Sequence, residues 1–261
     1  MKYLRFTLLS LLCFSLHMSA AVQEQPARED LVTREWKDAD GITVPCQIYL
    51  PLHYDKSKKY PLVLCLHGAG DMHSAPYAAR TAASTALLVP GMRSKYPAFL
   101  LVPQTTTGWA KRPERKGNIV SAGIQSESAA LKLVMQGLAD VMKEYSVDAD
   151  RVYVSGQSMG GVGTWSLILH HPEVFAAAVP ICGVGDPQQA ANIRCPVWVF
   201  HGAEDKTVPV ACSRDMVQAM NKAGLTVKYT EFPEVGHASW KLAWNEKELA
   251  PWLFVQCRKK P

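Results

Sequence analysis

The sequence predicts an α/β fold, a mostly parallel central sheet with helices on both faces. Three observations carry this. Pro61-Leu-Val-Leu-Cys-Leu66 is a continuous apolar run, the pattern of a strand buried on both sides. Similar runs recur at 98–102, 151–155, 175–181, 195–200 and 226–232, most of them separated by stretches of helical period. Finally, the turn Gly156-Gln-Ser-Met-Gly160 joins one such run to a helical segment, so strand and helix alternate as they do in parallel sheets.

Taken in order, residues 1–21 read as a cleavable signal peptide outside the fold. Lys2 and Arg5 form a positive start, 8–16 is a short apolar core, and Ser19-Ala20-Ala21 supplies the small residues of a cleavage site. The apolar run is too short for a stable membrane span. Leu12 is bulkier than a lipoprotein signal around Cys13 would normally allow. The chain is therefore expected to be secreted or periplasmic, with no membrane association after cleavage. The remaining 240 or so residues, 22–261, suit a lead-in followed by one catalytic domain, 41–261, since no linker, low-complexity tract or repeat divides them.

Residues 22–40 are polar and read as an N-terminal lead-in. Asp40-Gly41 signals a turn, 42–50 alternates as a strand, and 51–59 is a loop before the 61–66 strand. Segment 78–88 has helical composition, and Pro103 ends the 98–102 strand. In 127–145, Leu131, Val134, Leu138, Val141 and Met142 recur at three- and four-residue spacing, which predicts an amphipathic helix. Helices follow at 162–170, at 211–223 (closed by Gly224) and at 246–255. No helix separates the opening strands, so that edge of the sheet should be antiparallel.

The formal charge of +5 falls to +3 without Lys2 and Arg5, too mild to argue for nucleic acid, and no basic groove with interleaved aromatics follows. Without Cys13, six of the seven cysteines remain. Export permits disulfides, and one or two would be compatible with this number, but the spacing specifies no pairing. Cys46 and Cys65 sit in strand-like runs, where a buried free thiol is an ordinary core residue. No Cys or His spacing points to zinc.

Gly156-x-Ser158-x-Gly160 between a strand and a helix is the context that a nucleophile elbow requires. The turn holds serine in a strained conformation, and glycine is needed where chain segments crowd it. A hydrolytic serine needs a base, an orienting acid and donors for an oxyanion. Asp205 lies in a turn after the 195–200 strand, and His237 follows the 226–232 strand. Both, like Ser158, fall at carboxyl ends of strands, where ligands gather in open α/β sheets. Asp186, after the preceding strand, is the rival acid. The backbone N–H groups of Met159, at a helix start, and of Ala69, between Gly68 and Gly70, are the candidate oxyanion donors.

Leu66-His-Gly-Ala-Gly-Asp71, Gly156-Gln-Ser-Met-Gly-Gly-Val-Gly-Thr-Trp165, Ile181-Cys-Gly-Val-Gly-Asp186, His201-Gly-Ala-Glu-Asp205 and Gly236-His-Ala-Ser-Trp240 together resemble the α/β-hydrolase superfamily. Within it they resemble secreted bacterial carboxylesterases of the phospholipase/carboxylesterase and dienelactone-hydrolase-like group, over about residues 40–255. The resemblance implies an α/β-hydrolase fold and serine-dependent ester hydrolysis with no metal or organic cofactor. It extends to esterases acting on acetyl or feruloyl groups of plant polysaccharides and to predicted peptidases.

Around this core, Trp109 and Trp240 are candidate walls of a substrate cleft, and Gln157 flanks the nucleophile as a candidate substrate contact. Trp109 belongs to the long segment 104–125, whose Lys111, Arg112, Arg115 and Lys116 read as a solvated face or as a contact for an acidic substrate such as a uronic acid. His67 reads as a brace for the oxyanion loop. His170 and His171 suit the end of a helix. His53, His73 and His201 have no site context and read as structural. Only the twelve residues 183–194 separate two late strands, too few for an amphipathic lid, and no propeller precedes residue 40. An open-cleft esterase for small or medium esters is the resulting expectation. A peptidase or thioesterase with the same triad, or an acyltransferase, uses the same residues; a pure binding protein would be expected to have lost one of them.

Overall fold

The computed structural model describes residues 30–111 and 126–258. The expected signal segment and Arg112, Arg115 and Lys116 lie outside these residues.

Ten strands and seven α-helices are found among them, in the order β1 (Leu31–Lys37), β2 (Thr43–Tyr49), β3 (Tyr60–Leu66), α1 (Ala82–Leu87), α2 (Pro90–Lys95), β4 (Phe99–Pro103), β5 (Ala110–Lys111), β6 (Ser126–Glu127), α3 (Ala129–Glu144), β7 (Val147–Gln157), α4 (Met159–His170), β8 (Ala177–Ile181), β9 (Val197–Gly202), α5 (Ala211–Lys222), β10 (Val227–Phe232), α6 (Trp240–Ala243) and α7 (Leu249–Phe254). Eight strands make one sheet in the order β1-β2-β4-β3-β7-β8-β9-β10. β1 and β2 run antiparallel to their neighbours, and every pairing from β4 to β10 is parallel.

The continuous apolar strands owe their composition to helices on both faces. Leu62, Leu64 and Leu66 of β3, Leu101 of β4, Val154 of β7 and Val199 of β9 join one core with the buried residues of α3, α4 and α5. Val63, Cys65, Leu100, Tyr153 and Phe200 point the other way, into a second core with α1, α6 and α7. Successive side chains of a strand face opposite sides, so a strand covered twice must be apolar throughout.

The stretch read as a polar lead-in needs correction. Its residues 31–37 are the edge strand β1, paired with β2 along its whole length. An edge strand is covered on one side only, and Thr33, Glu35 and Lys37 are its exposed positions. Trp36 anchors it on α3: a Cβ on Gly137 would come within 2.3 Å of the Trp36 ring, so the helix is notched to receive the indole. The expected helix start at residue 127 also shifts. Glu127 pairs with Ala110 in the β5–β6 ribbon, and α3 begins after Ser128, whose hydroxyl accepts the Leu131 N–H at 3.1 Å.

Candidate active site

Between β7 and α4 the chain reverses through Ser158, at φ 54° and ψ −115°. A non-glycine residue at positive φ is strained by about 1–3 kcal/mol and persists only where its surroundings over-determine it. Here they do. The Ser158 N–H donates to the Ile181 carbonyl at 2.9 Å, and the Ser158 carbonyl accepts from Val162 at 3.0 Å. A Cβ on Gly156 would lie 2.3 Å from the Gly160 carbonyl oxygen, and one on Gly160 only 2.1 Å from that of Leu66. Strand, turn and helix touch backbone to backbone, and the serine is held out of the sheet.

Two neighbouring loops bring the partners. Ala203 N–H donates to Phe232 O and Glu204 N–H to Val235 O, both at 2.9 Å, which ties the turn after β9 to the loop after β10. His237 Nδ1–H then donates to Asp205 Oδ2 at 2.7 Å, and the Ser158 hydroxyl donates to His237 Nε2 at 2.8 Å. Asp205 Oδ1 accepts the N–H groups of Thr207 and Val208 at 2.8 and 2.9 Å. Burial pushes this carboxyl's pKa up, but the His237 bond and the two backbone donors outweigh it and hold the pKa below the ordinary range. Asp186 is elsewhere. It caps a 3₁₀ turn over Pro187–Asn192, accepting from Gln188 N–H and from the Gln189 amide.

The Met159 N–H opens α4 and the Ala69 N–H opens a 3₁₀ turn after β3. Neither has a hydrogen-bond acceptor among the described residues. The second donor's loop is braced by His67, which is fully buried. Its Nδ1–H donates to Gly68 O at 2.7 Å, and its Nε2 accepts the Thr105 N–H at 3.0 Å. Burial lowers its pKa and keeps the ring neutral, as an accepting Nε2 requires.

The candidate substrate contacts divide. Trp240 stands edge-on to His237, with ring centroids 5.3 Å apart at 90°, and is half-buried beside the site. Trp109, expected as a cleft wall, has no exposed surface and belongs to the core. Its indole N–H donates to the His67 carbonyl, so it supports the loop rather than facing a ligand. Gln157 is also turned away from the solvent side: its amide oxygen accepts the Ala82 N–H at 3.3 Å, at the start of α1. A Cβ on Gly163 of α4 would lie 2.8 Å from the Trp109 Cβ, a close packing that chain order alone does not reveal.

Two side chains not expected at the site adjoin it. His201, read as structural, is buried with Nε2 3.2 Å from Asp205 Oδ2; its signal was the four-residue spacing to Asp205. Cys182, at φ 41°, has its Sγ 3.5 Å from the His237 carbonyl oxygen. Cys182, Asp205 and His237 offer ligand atoms within 4.8 Å of one another. The set does not fit a metal, because both His237 ring nitrogens are engaged and burial pushes the Cys182 thiol up to about 12. Cys46, Cys65, Cys182, Cys195 and Cys257 are free thiols.

Arranged in this way, the site offers a hydroxyl with a proton acceptor, a buried carboxylate behind that acceptor, and two N–H groups without partners nearby. These are the parts acyl transfer uses. An uncharacterized secreted protein of Arthroderma benhamiae is 27% identical over 226 residues, covering 72% of this chain and 22% of its own length. "Probable carboxylesterase SOBER1-like" of Arabidopsis thaliana is 26% identical over 191 residues, covering 67% of this chain and 72% of that protein. Among solved structures, a thermostable esterase superposes with a TM-score of 0.80 at 33% identity, over 88% of this chain and 64% of that one. The chain thus spans less than two thirds of the Arthroderma protein and of the thermostable esterase. With the dienelactone hydrolase family matching residues 99–243, more than half of its length, this chain belongs to that family, within the α/β hydrolases.

Proposed function

We propose that the chain is a secreted serine carboxylesterase that cleaves small or medium carboxylic esters through an acyl-enzyme. The observation that carries this is the continuous hydrogen-bond chain Ser158–His237–Asp205, at 2.8 and 2.7 Å, on a strained turn. Ser158 Oγ attacks the ester carbonyl as its proton passes to His237 Nε2. The N–H groups of Met159 and Ala69 receive the oxyanion, and Asp205 stabilises the imidazolium. Collapse expels the alcohol, which takes the proton from His237. Water then attacks the acyl-serine with His237 again as base, releasing the acid and restoring the serine.

An ester is favoured over an amide because its alcohol leaves more readily. An open cleft is favoured because only a short 3₁₀ turn, Pro187–Asn192, lies between β8 and β9. Trp240 offers an aromatic edge beside His237 for the acyl or alcohol group. Acetyl or feruloyl groups on plant polysaccharides are the proposed natural esters. Export rests on the signal pattern in residues 1–21.

The test is hydrolysis by the mature protein of p-nitrophenyl esters of graded length, methyl ferulate, acetylated xylan and a peptide amide, with Ser158→Ala alongside. Ester turnover lost in the variant is the expected result. Turnover of the amide alone would replace the esterase with a peptidase. A folded protein that turns over none of these and takes up no fluorophosphonate at Ser158 would sink the mechanism.

A further inference from the structure

His201 lies four residues before Asp205 and has no exposed surface. Its Nε2 is 2.9 Å from the Val208 carbonyl oxygen and 3.2 Å from Asp205 Oδ2. Both neighbours are acceptors, so Nε2 carries the proton. Nδ1, 2.7 Å from Ser213 Oγ, is then the acceptor of that hydroxyl. Ser213 sits in α5 and is itself fully buried. Burial lowers the His201 pKa, which keeps the ring neutral beside a carboxylate that must hold a different imidazolium.

The carboxylate geometry explains what such a donor is for. Thr207 and Val208 N–H groups hold only Oδ1. The terminal torsion of an aspartate is broad and moves both oxygens of the planar carboxylate together, so partners at both oxygens hold it more firmly than partners at one. Oδ2, the oxygen that receives His237 Nδ1–H, is approached from a second side by His201 Nε2.

We infer that His201 is a positioning residue, whose Nε2–H, shared between the Val208 carbonyl at 2.9 Å and Asp205 Oδ2 at 3.2 Å, holds that carboxylate oxygen toward His237 and couples the acid to α5 through Ser213. This rests on the proposed role of Asp205 as the orienting acid. Supporting groups of this kind fix the orientation of a reacting group, and small displacements there can cost about 100-fold in rate.

Two variants separate this role from plain packing. The amide nitrogen of His201→Gln reaches the place of Nε2, whereas the shorter His201→Asn reaches only the Nδ1 position and can meet Ser213 but not Asp205. With p-nitrophenyl acetate, His201→Asn is expected to lower kcat about 10- to 100-fold with KM within about twofold, and His201→Gln to recover kcat to within about threefold. Equal losses in the two variants, or an Asn variant with unchanged kcat, would overturn the assignment. Near-UV circular dichroism checks that both variants fold. Should the Asn variant not fold, ¹⁵N-histidine NMR of the wild-type protein decides. A neutral His201 protonated at Nε2, with a resonance that moves in Asp205→Asn, is expected; an Nδ1–H tautomer or an unmoved signal would refute it. If the wild-type protein cleaves no ester, the esterase reading fails, and the NMR measurement still reports on the contact.

Discussion

The indole N–H of Trp109 donates to the carbonyl oxygen of His67 at 3.0 Å, and the two rings meet edge to face at 5.0 Å. With the Thr105 N–H bond to His67 Nε2, this hydrogen bond ties the segment after β4 to the loop carrying the Ala69 N–H. Trp109→Phe removes the donor and leaves a small void in a closed core. A loss of about 2–3 kcal/mol is expected in denaturant unfolding, with a fall in kcat larger than the rise in KM because the oxyanion loop loosens. Unchanged kcat in a destabilised variant would show that the loop keeps its position without the tryptophan.

The choice between two aspartates can be read in turnover. Asp205→Asn should lower kcat by about 10⁴-fold, as loss of the acid does in the triad template, while the fold survives. Asp186→Asn keeps an oxygen to cap its 3₁₀ turn and should leave kcat within about twofold. The reverse ranking would reassign the acid.

Gly160→Ala puts a methyl 2.1 Å from the Leu66 carbonyl oxygen. The obstacle is backbone of a central strand, which cannot step aside as a side chain would. A destabilisation of about 3 kcal/mol or more is expected, or an insoluble product. A soluble variant with the wild-type melting temperature would contradict the close approach.

His171 Nε2 lies 2.9 Å from Glu127 Oε1, joining the residue that ends α4 to β6. The Glu127 hydrogen bond raises the His171 pKa against the opposing effect of burial. A raised histidine pKa stabilises the fold fully below its ordinary value of about 6.5, and this contribution is lost as pH rises through the raised value. The gap in melting temperature between wild type and Glu127→Gln should therefore be larger near about pH 5.5 than near about pH 8.5. A gap independent of pH would mean that the pair is not charged.

Thiol accessibility tests the core. Cys46, Cys65, Cys182 and Cys195 are buried, Cys257 is exposed and Cys212 is intermediate. Burial pushes the Cys65, Cys182 and Cys195 thiols up to about 12, where little thiolate exists to react. In the native mature protein Ellman's reagent should react fast at Cys257, more slowly at Cys212, and with the other four only after unfolding. Fewer than six reactive thiols after unfolding without reductant would reveal a disulfide.

The parallel sheet was legible because a strand buried on both faces must be apolar throughout, and few other structures need such a run. Pro61 to Leu66 was recognisable for that reason. Ser158 was recognisable for another: a tight turn between strand and helix leaves glycine little competition at 156 and 160. β1 was hidden because an edge strand is solvated on one face, and its Thr33, Glu35 and Lys37 look like loop composition. The short helices α2 and α6 span six and four residues, too few for a periodic signal.

Local pattern thus carries the strands, the elbow and the order in which serine, acid and histidine follow one another, because backbone sterics and burial act on neighbouring residues. Which carboxylate meets His237, why Trp109 points inward and what His201 touches depend on how separate loops pack. Asp205 and His237 are 32 residues apart, and His67 and Trp109 are 42 apart. Their meeting is set by the twist of the sheet and by backbone bonds between loops, for which a one-dimensional pattern has no counterpart.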